Sequence, residues 1–321
     1  MNDSFETIAE EIMKGERIYL FPHENPDGDA IGSTAALCSM LRSMGKDAWV
    51  LIDEELPDNL AFMEGGMFVI PDGSIEKPDT SVAVDCSEKT RFPKLMDIFD
   101  SADKTICIDH HLTEDPEFDF KRVDPTAAAV GEMIFDLMKV MEHKPTKREA
   151  EALFAAIDTD TGNFLYSNAT RRTHEIVCEL YDSGIDVPAV GIELYETVAP
   201  EKQRLEAMAL SQASFFCGGK IVLTAITQQM LEETGTKMSD AELVVAKLRT
   251  VKGVEIAICL KERAPEKIFA SMRSKSTASV RDIAVAFGGG GHVKAAGCTL
   301  NMPLEEAEEK IVAKAEEVLG A

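Results

Sequence analysis

Three apolar runs of the chain, at residues 18–21, 82–84 and 106–108, each lead into side chains of the types that commonly bind metal ions. These side chains are His23, Asp27, Asp29, Asp85, Asp109, His110 and His111. A fourth segment, after a predicted helix, adds Asp158 and Asp160. Grouped carboxylates without cations would repel one another and raise their own pKa values. Four Asp carboxylates balance two divalent cations, so we expect a pair of metal ions where these segments meet.

The ligand types narrow the choice of metal and of reaction. Imidazole and carboxylate without thiolate favour Mn²⁺, with Mg²⁺, Co²⁺ or Fe²⁺ as alternatives, over a structural zinc. Two such ions about 3.5–4 Å apart can activate a water and stabilise both oxygens of an in-line displacement at phosphorus. A single Asp at a strand end is more often a cap or turn residue. The prediction of phosphoester hydrolysis therefore depends on the four segments meeting at one place.

The elements that must position these residues alternate between strand and helix up to about residue 185, which is typical of a parallel α/β sheet. Strands are predicted at residues 17–22, 46–52, 67–70, 81–84 and 104–108, and helices at 30–44, 127–141, 147–156 and 170–183. The strands are continuously apolar, which suits strands covered on both faces. Ligands collect outside the carboxyl ends of parallel strands, where the metal-binding side chains fall.

A second α/β pattern follows a predicted helical connector. We assign residues 1–190 to the first domain, 191–205 to the connector and 206–321 to a smaller, mixed α/β domain. Within it, strands are predicted at 220–226, 254–260 and 267–272, and helices at 239–249 and 304–318. Ser239 and Glu242 would form a capping box for the first of these helices. The 321 residues exceed what one core usually supports, which also favours two domains.

A run of four glycines, Gly288–Gly291, precedes His292 in the second domain. Consecutive backbone N–H groups without Cβ atoms suit close approach to an anion, so we interpret the run as a phosphate-binding segment. A four-glycine run alone would be interpreted as a flexible linker, and the residues that follow it favour the phosphate-binding interpretation. A small-residue turn is predicted at residues 295–297, and the pattern matches neither a P-loop nor a dinucleotide fingerprint.

The net charge is −24, from 33 basic and 57 acidic side chains. A field of this sign repels polyanions and opposes binding to long DNA or RNA, so a nucleic-acid substrate should be short. Basic side chains concentrate between residues 261 and 281, where Lys261, Arg263 and Lys267 are interpreted as a solvated face.

The seven cysteines are scattered and contain no Cys-x-x-Cys motif, which favours buried thiols in a reducing compartment. No apolar stretch is long enough to cross a bilayer, and no secretory signal is visible. We therefore expect a cytoplasmic protein that does not contact membranes.

The order and content of these motifs resemble the DHH phosphoesterase family. The first-domain segments are His-Glu-Asn-Pro-Asp-Gly-Asp-Ala-Ile-Gly-Ser, a lone strand-end Asp, Ile-Asp-His-His and Thr-Asp-Thr-Gly-x-Phe. The Gly-Gly-Gly-Gly-His-x-x-Ala-Ala-Gly run is similar to the DHHA1 companion domain. Together the motifs extend from residue 23 to 297. The resemblance implies a DHH catalytic domain and a DHHA1 substrate-binding domain, with the active site in the cleft between them.

The resemblance also implies a role for each site residue. One metal ion would be held by His23, Asp27 and Asp85, and the other by Asp29, Asp85, His110 and Asp160, with Asp85 bridging. His111 would face the substrate phosphate, and Asp109 would orient its neighbours. Asp158 is expected to be structural, because the family carboxylate stands directly before Thr-Gly. The implied substrate contacts are Arg273, Ser274, Lys275, Gly289, Gly290, Gly291, His292 and Arg172.

Domain order and length are similar to the nano-RNase and pAp phosphatase branch of the family. The implied activity is hydrolysis of short oligoribonucleotides, or of the 3′-phosphate of the 3′,5′-bisphosphate nucleotide pAp, by a water that two metal ions activate. A phosphodiesterase for linear or cyclic dinucleotides and a non-catalytic nucleotide-binding module are the alternatives. Length and charge disfavour a RecJ-type exonuclease, and a DHH pyrophosphatase lacks the glycine–histidine run. A homodimer is implied by the resemblance alone.

Overall fold

The computed structural model describes residues 2–111 and 117–320. The chain divides into two compact units, Met1–Thr197 and Val198–Ala321. The residues predicted as a connector are split between the last helix of the first unit and the first helix of the second. The second unit begins at 198 rather than 206, because Leu205 and Ala209 pack into its core.

The first unit is a parallel sheet with helices packed on it, as the alternating pattern predicts. Its strands are β1 (Arg17–Phe21), β2 (Asp47–Leu51), β3 (Phe68–Val69), β4 (Thr80–Val84), β5 (Lys104–Asp109) and β6 (Phe120–Val123). Its helices are α1 (Phe5–Lys14), α2 (Gly28–Ser43), α3 (Met96–Asp100), α4 (Val130–Val140), α5 (Lys147–Asp160), α6 (Arg171–Tyr181) and α7 (Val187–Tyr195). The sequence pattern does not predict α1, α3 or β6.

The strand order is β3-β2-β1-β4-β5-β6, and every pairing in this sheet is parallel. The winding direction therefore changes between β1 and β4, which are neighbours in the sheet. In parallel sheets such a change leaves a crevice beyond the carboxyl ends of the two strands. His23 lies two residues after β1, and Asp85 lies directly after β4.

Successive residues of β1 enter two different cores. Ile18 and Leu20 belong to the core beneath α1, α2, α4 and α5, whereas Tyr19 and Phe21 belong to a smaller core that contains Phe99 of α3. The rings of Phe21 and Phe99 pack edge to face with centroids 5.0 Å apart. The prediction of strands covered on both faces is thus confirmed. Each buried side chain of this size stabilises the sheet by roughly 1.5–3 kcal/mol.

The second unit is the predicted smaller, mixed α/β domain. Its strands are β7 (Ser214–Phe216), β8 (Ile221–Ile226), β9 (Ile256–Ala264), β10 (Lys267–Ser274), β11 (Gly290–Gly291) and β12 (Ala295–Leu300). Its helices are α8 (Pro200–Ser211), α9 (Gln228–Thr234), α10 (Val244–Arg249), α11 (Val280–Ala286) and α12 (Leu304–Leu319). The sheet order is β11-β12-β10-β9-β8-β7, with β8 and β9 parallel and the other pairs antiparallel.

The helix predicted at 239–249 is wrong in its first half. A 3₁₀ turn covers Met238–Ala241, and α10 begins only at Val244. The predicted capping box does not form there, because the Glu242 carboxylate instead accepts a hydrogen bond from Lys261 Nζ at 2.5 Å.

Two further predictions for the second unit are also wrong. Lys261 is 1% exposed rather than solvated, since β9 is an interior strand of the sheet, and its ammonium group pairs with the exposed Glu242. Residues 295–297 lie in β12 rather than in a turn, because Ala295 and Ala296 pair with β10.

Five of the seven cysteines are buried, as predicted, and Cys178 on α6 is exposed. Burial raises the pKa of Cys38, Cys86 and Cys259 to about 12. These thiols are therefore protonated at neutral pH. Across the described ranges, no helix combines the length and the apolar character needed to cross a bilayer.

Candidate active site

Asp27 both begins α2 and faces a histidine. Its Oδ1 accepts hydrogen bonds of 3.1 Å from the backbone N–H groups of Asp29 and Ala30, which makes it the N-cap of the helix. Its Oδ2 lies 3.9 Å from His23 Nε2. The capping and metal-binding interpretations of a strand-end Asp are thus compatible at this position.

Close packing of α2 on α5 brings Asp29 near Asp160. A Cβ atom at Gly28 would lie 2.4 Å from Thr159 Oγ1, and one at Gly32 would lie 2.4 Å from a backbone carbonyl oxygen of α5. Larger residues at either position would push the helices apart. These glycines therefore position the carboxylates at the two helix ends.

Asp85 lies between two histidines and has a left-handed backbone. Its φ is +58°, a region that costs an L-residue about 1–2 kcal/mol and that Asp tolerates better than most. The side chain is 2% exposed. Its Oδ2 lies 3.6 Å from His23 Nε2, and its Oδ1 lies 3.7 Å from His110 Nε2. One carboxylate thus faces both imidazoles, which is the arrangement a bridging ligand needs.

The two imidazoles have the same tautomer. His23 Nδ1 lies 2.9 Å from the Glu24 carbonyl oxygen, and His110 Nδ1 lies 3.1 Å from the Ala127 carbonyl oxygen. A carbonyl oxygen only accepts hydrogen bonds, so Nδ1 carries the proton in both rings. In both rings Nε2 therefore faces the carboxylates and is the nitrogen available to bind a metal ion.

His111 is held differently from its neighbour. Its Nδ1 lies 2.8 Å from Asp109 Oδ1 and 3.3 Å from Asp85 Oδ1. Asp109 Oδ1 also accepts the backbone N–H groups of His110 and His111, at 2.7 and 3.1 Å. Burial lowers the pKa of His111, but its interactions with Asp109 and Asp85 outweigh this and raise it to about 10. His111 is therefore a cationic group beside the cluster.

The acidic groups crowd one another. Burial and the neighbouring charges of Asp85 and Asp160 raise the pKa of Asp29 well above its ordinary value. Burial raises the pKa of Asp160 to about 6, with Asp27 and Asp85 adding to the effect and His110 opposing it. Such repulsion is relieved when cations bind among the carboxylates.

The side chains form three overlapping groups whose nitrogen and oxygen atoms lie within 4.8 Å of one another. The groups are His23 with Asp27 and Asp85; Asp29 with His110 and Asp160; and Asp85 with His110 and His111. Apart from the pair of His111 and Asp85, the facing histidine nitrogens and carboxylate oxygens are 3.6–3.9 Å apart, too far to hydrogen-bond, but a cation with bonds of about 2.0–2.2 Å fits between them.

Two observations show that these residues suit a hard divalent cation. Within residues 2–111 and 117–320, the buried Asp85 Oδ1 has an ionic contact with His111 at 3.3 Å but no hydrogen bond of good geometry, so the atom can still accept a ligand. Cys86 and Cys107 lie beside the cluster, but burial raises the pKa of both thiols. The site therefore offers oxygen and nitrogen without thiolate.

Two further residues from the sequence analysis, Asp158, expected to be structural, and Arg172, expected to contact substrate, bond to side chains outside the three ligand groups. Asp158 is buried and accepts a hydrogen bond from the Tyr195 hydroxyl, and it belongs to none of the three groups found in the described chain. The Arg172 guanidinium pairs with Asp136 of α4.

The segment Arg273–Lys275 ends β10 and opens a turn that Glu255 organises. The Glu255 carboxylate accepts the backbone N–H groups of Ser276, Thr277 and Ala278, at 3.0, 2.7 and 2.9 Å. The buried Ser274 donates through its hydroxyl to the Ala278 carbonyl oxygen at 2.8 Å. Ser274 thus supports the turn, whereas Lys275 is exposed.

The pH dependence of unfolding should report on Glu255. Burial opposes ionisation, but the hydrogen bonds from the turn lower its pKa from the ordinary 4.5 to about 2. Its stabilisation is therefore complete above pH 4.5 and is lost as the pH falls toward 2. Glu255→Gln should destabilise the protein by about 1–2 kcal/mol at pH 7, allowing for partial exposure, and by much less near pH 2. Chemical denaturation of both proteins in chelator across this pH range measures the difference; parallel curves would contradict the role of Glu255.

The glycine run belongs to a sheet rather than to an open phosphate loop. Gly290 and Gly291 pair with Gly297 and Ala296 of β12. The backbone N–H of Gly289 donates to the Ala284 carbonyl oxygen at 2.9 Å. His292, which follows the run, is exposed. Some of the backbone N–H groups predicted to bind phosphate are thus engaged in hydrogen bonds within the second unit.

The fold and the site together define a phosphoesterase. A family model described as the DHH family, N-terminal domain, matches residues 17–157, and the DHHA1 domain model matches residues 218–321. The chain belongs to the DHH family of phosphoesterases.

Curated relatives span nearly the whole chain. The bifunctional oligoribonuclease and PAP phosphatase NrnA of Thermus thermophilus is 32% identical, over 97% of this chain and 94% of that protein. The protein of the same name from Bacillus subtilis is 28% identical, over 89% and 90%. A crystal structure of an exopolyphosphatase-related protein from Bacteroides fragilis superposes with a TM-score of 0.91, at 26% identity, covering 98% of this chain and 95% of that one.

Proposed function

We propose that this phosphoesterase hydrolyses short oligoribonucleotides and the 3′-phosphate of pAp, with two Mn²⁺ ions as cofactors. The observation that carries the proposal is the sharing of Asp85 and His110 among three ligand groups, which suits two adjacent cations. The activities named for the relatives from Thermus thermophilus and Bacillus subtilis support the choice of substrate. The charge of −24 also favours short substrates over long nucleic acids.

Each cation would be held by residues of the first unit. His23, Asp27 and Asp85 would hold one, and Asp29, Asp85, His110 and Asp160 the other. When bound, such a pair supplies a water of lowered pKa and neutralises charge on the phosphoryl oxygens. The chain itself contributes rigid ligands, because α2 and α5 are in close contact and both imidazole tautomers are fixed by carbonyl oxygens.

His111 is the side chain of the first unit best suited to contact the substrate phosphate. Asp109 orients the ring through Nδ1, and the raised pKa of His111 keeps the imidazole protonated, so the ring would stabilise negative charge on a phosphate oxygen. A donor fixed in this way stabilises charge that develops in the transition state without first having to reorient. In the second unit, Arg273, Lys275 and His292 would contribute positive or hydrogen-bonding groups toward the substrate, with Gly289 to Gly291 beside them.

A substrate panel tests the proposal. Purified protein with Mn²⁺ is given a linear diribonucleotide, a five-nucleotide RNA, pAp, a cyclic dinucleotide, pyrophosphate and a long single-stranded RNA. We expect fastest turnover of the short RNAs and pAp. Preferential hydrolysis of pyrophosphate, of cyclic dinucleotides or of the long RNA would overturn the proposal. Binding of the short RNA without cleavage would instead support a non-catalytic nucleotide-binding module.

Two alanine substitutions in the glycine run separate substrate contact from packing. A Cβ at Gly289 would lie 2.2 Å from the Gly297 carbonyl oxygen, whereas one at Gly290 would meet nothing within 4 Å. Gly289→Ala should therefore lower the stability of the protein by about 1–3 kcal/mol. Gly290→Ala should leave the melting temperature unchanged and raise the KM for short RNA several-fold, because the new methyl group would occupy space the substrate approaches. An unchanged KM in Gly290→Ala would argue against substrate contact at this position.

The homodimer and the cytoplasmic location stay predictions. Light scattering coupled to size-exclusion chromatography measures the first, and fractionation of the producing cells measures the second.

A further inference from the structure

The segment at residues 127–131 bonds directly to two ligands of the group formed by Asp29, His110 and Asp160. The Ala127 carbonyl oxygen accepts from His110 Nδ1 at 3.1 Å. The backbone N–H groups of Val130 and Gly131 donate to the Asp29 carboxylate at 2.6 and 2.9 Å. Two of the three ligands thus bond directly to this segment, which we call the ligand frame.

The third ligand reaches the ligand frame through one side chain. The Asn168 amide donates from Nδ2 to the Ala128 carbonyl oxygen at 2.9 Å and to the Asp160 carbonyl oxygen at 3.1 Å. Both partners are carbonyl oxygens, so the NH₂ group must face them and the orientation of the amide is fixed. Asn168 therefore connects the residue that carries the Asp160 carboxylate to the segment that orients His110.

The chain makes an unusual turn to bring Asn168 to this position. Gly162, Asn163 and Phe164 have φ values of +56°, +57° and +58° in succession. A left-handed backbone costs a residue other than glycine about 1–2 kcal/mol. The turn reverses the chain at the end of α5, so that Asn168 meets the last residue of the helix that precedes it.

The hydrogen bond from Asn168 to Asp160 also provides a donor for the C-terminal end of α5. The last carbonyl groups of a helix lack partners within the helix, so the end of α5 requires an outside donor. Asn168 supplies one at Asp160 itself, whose side chain is 30% exposed and lies 3.7 Å from His110 Nε2. The amide thus restrains the most exposed of the three ligands in this group, since the side chains of Asp29 and His110 are 1% and 13% exposed.

We propose that Asn168 is a positioning residue that fixes Asp160 relative to His110 and Asp29, and so sets the affinity of the second cation. The inference rests on the metal binding in the proposed function. Partners of this kind, which orient a ligand without touching the metal, typically change metal affinity 10–100-fold when removed.

The test uses the full-length protein, with free Mn²⁺ followed by electron paramagnetic resonance during titration. Asn168→Ala removes both hydrogen bonds without adding charge, and Asn168→Asp keeps the shape but replaces the donor with a carboxylate. In both variants we expect one Mn²⁺ to bind with native affinity and the second to bind at least ~10-fold more weakly. Raising the Mn²⁺ concentration should restore activity, and circular dichroism in chelator shows whether each variant is folded without the ion, because Mn²⁺ itself stabilises the folded state.

Asn59 provides the matched control. It is half-buried in the same unit and donates from Nδ2 to the Leu194 carbonyl oxygen at 3.4 Å, away from the ligand groups. Asn59→Ala and Asn59→Asp should bind both Mn²⁺ ions as the native protein does. Native binding of both ions by Asn168→Ala would overturn the inference, as would failure of both Asn168 variants to fold in chelator. A native protein that binds no Mn²⁺ would count against the proposed function instead.

Discussion

Asp85→Asn should abolish binding of both Mn²⁺ ions and lower turnover of short RNA by about 10³-fold or more, equivalent to ~4 kcal/mol of activation free energy. Asp85 faces His23 with one oxygen and His110 with the other, so its charge serves both groups of ligands. Asn also tolerates the left-handed backbone found here, so the substitution removes charge with little change in conformation. Titration with Mn²⁺ and single-turnover kinetics measure the two effects.

Asp158→Asn is the matched control for this substitution. Asp158 is another buried Asp of the same unit, 3% exposed, but its carboxylate bonds to the Tyr195 hydroxyl instead of facing the histidines. Asn at 158 can still accept that hydrogen bond. We expect both Mn²⁺ ions to bind and turnover to stay within a few-fold of native. Retained turnover in Asp85→Asn would refute its bridging role, and equal losses in the two variants would assign the effect to general disruption.

Removal of divalent cations by chelation should abolish activity and lower the melting temperature of the first unit by about 5–10 °C. A ligand present at 100 times its dissociation constant stabilises the folded state by about 2.7 kcal/mol, and a unit of this size shifts about 2–4 °C per kcal/mol. The physical reason is that Asp29, Asp85 and Asp160 are left close together without a counter-charge. Differential scanning calorimetry before and after adding Mn²⁺ to the chelated protein measures the shift.

The specificity of this stabilisation is checked with Asp85→Asn, whose melting temperature should respond little to Mn²⁺. A native protein that melts at the same temperature with and without chelator would contradict a preformed acidic site.

The sequence could predict that most of the proposed metal ligands lie close together, because each follows an apolar run and the carboxyl ends of parallel strands share one edge of a sheet. The order of the strands in the sheet could not be predicted from the sequence. The change of winding direction between β1 and β4, which places His23 beside Asp85, depends on long-range pairing that local pattern does not encode. The left-handed backbone of Asp85 has no local signal either, since surrounding contacts hold it in place.

The contacts of Asn168 and of the glycine run also depend on long-range packing that the local sequence pattern does not encode. The segment around Asn168 contains no metal-ligand pattern, and its contact with Asp160 exists only because the chain reverses after α5. The four glycines predict a backbone that an anion can approach closely, but the sequence pattern predicts a turn at residues 295–297, where β12 pairs with the run. Likewise, the burial of Lys261 depends on the interior position of β9 in the sheet, which the local sequence pattern does not give.

The distribution of thiols gives the chain a natural attachment point for spectroscopic probes. Cys178 is exposed on α6, whereas five other cysteines are buried and the half-buried Cys217 donates to Glu316. A maleimide dye reacts with accessible thiolates, so labelling would concentrate at Cys178 without any engineered substitution. Fluorescence from that single position could then follow events in solution while every proposed ligand side chain keeps its native identity.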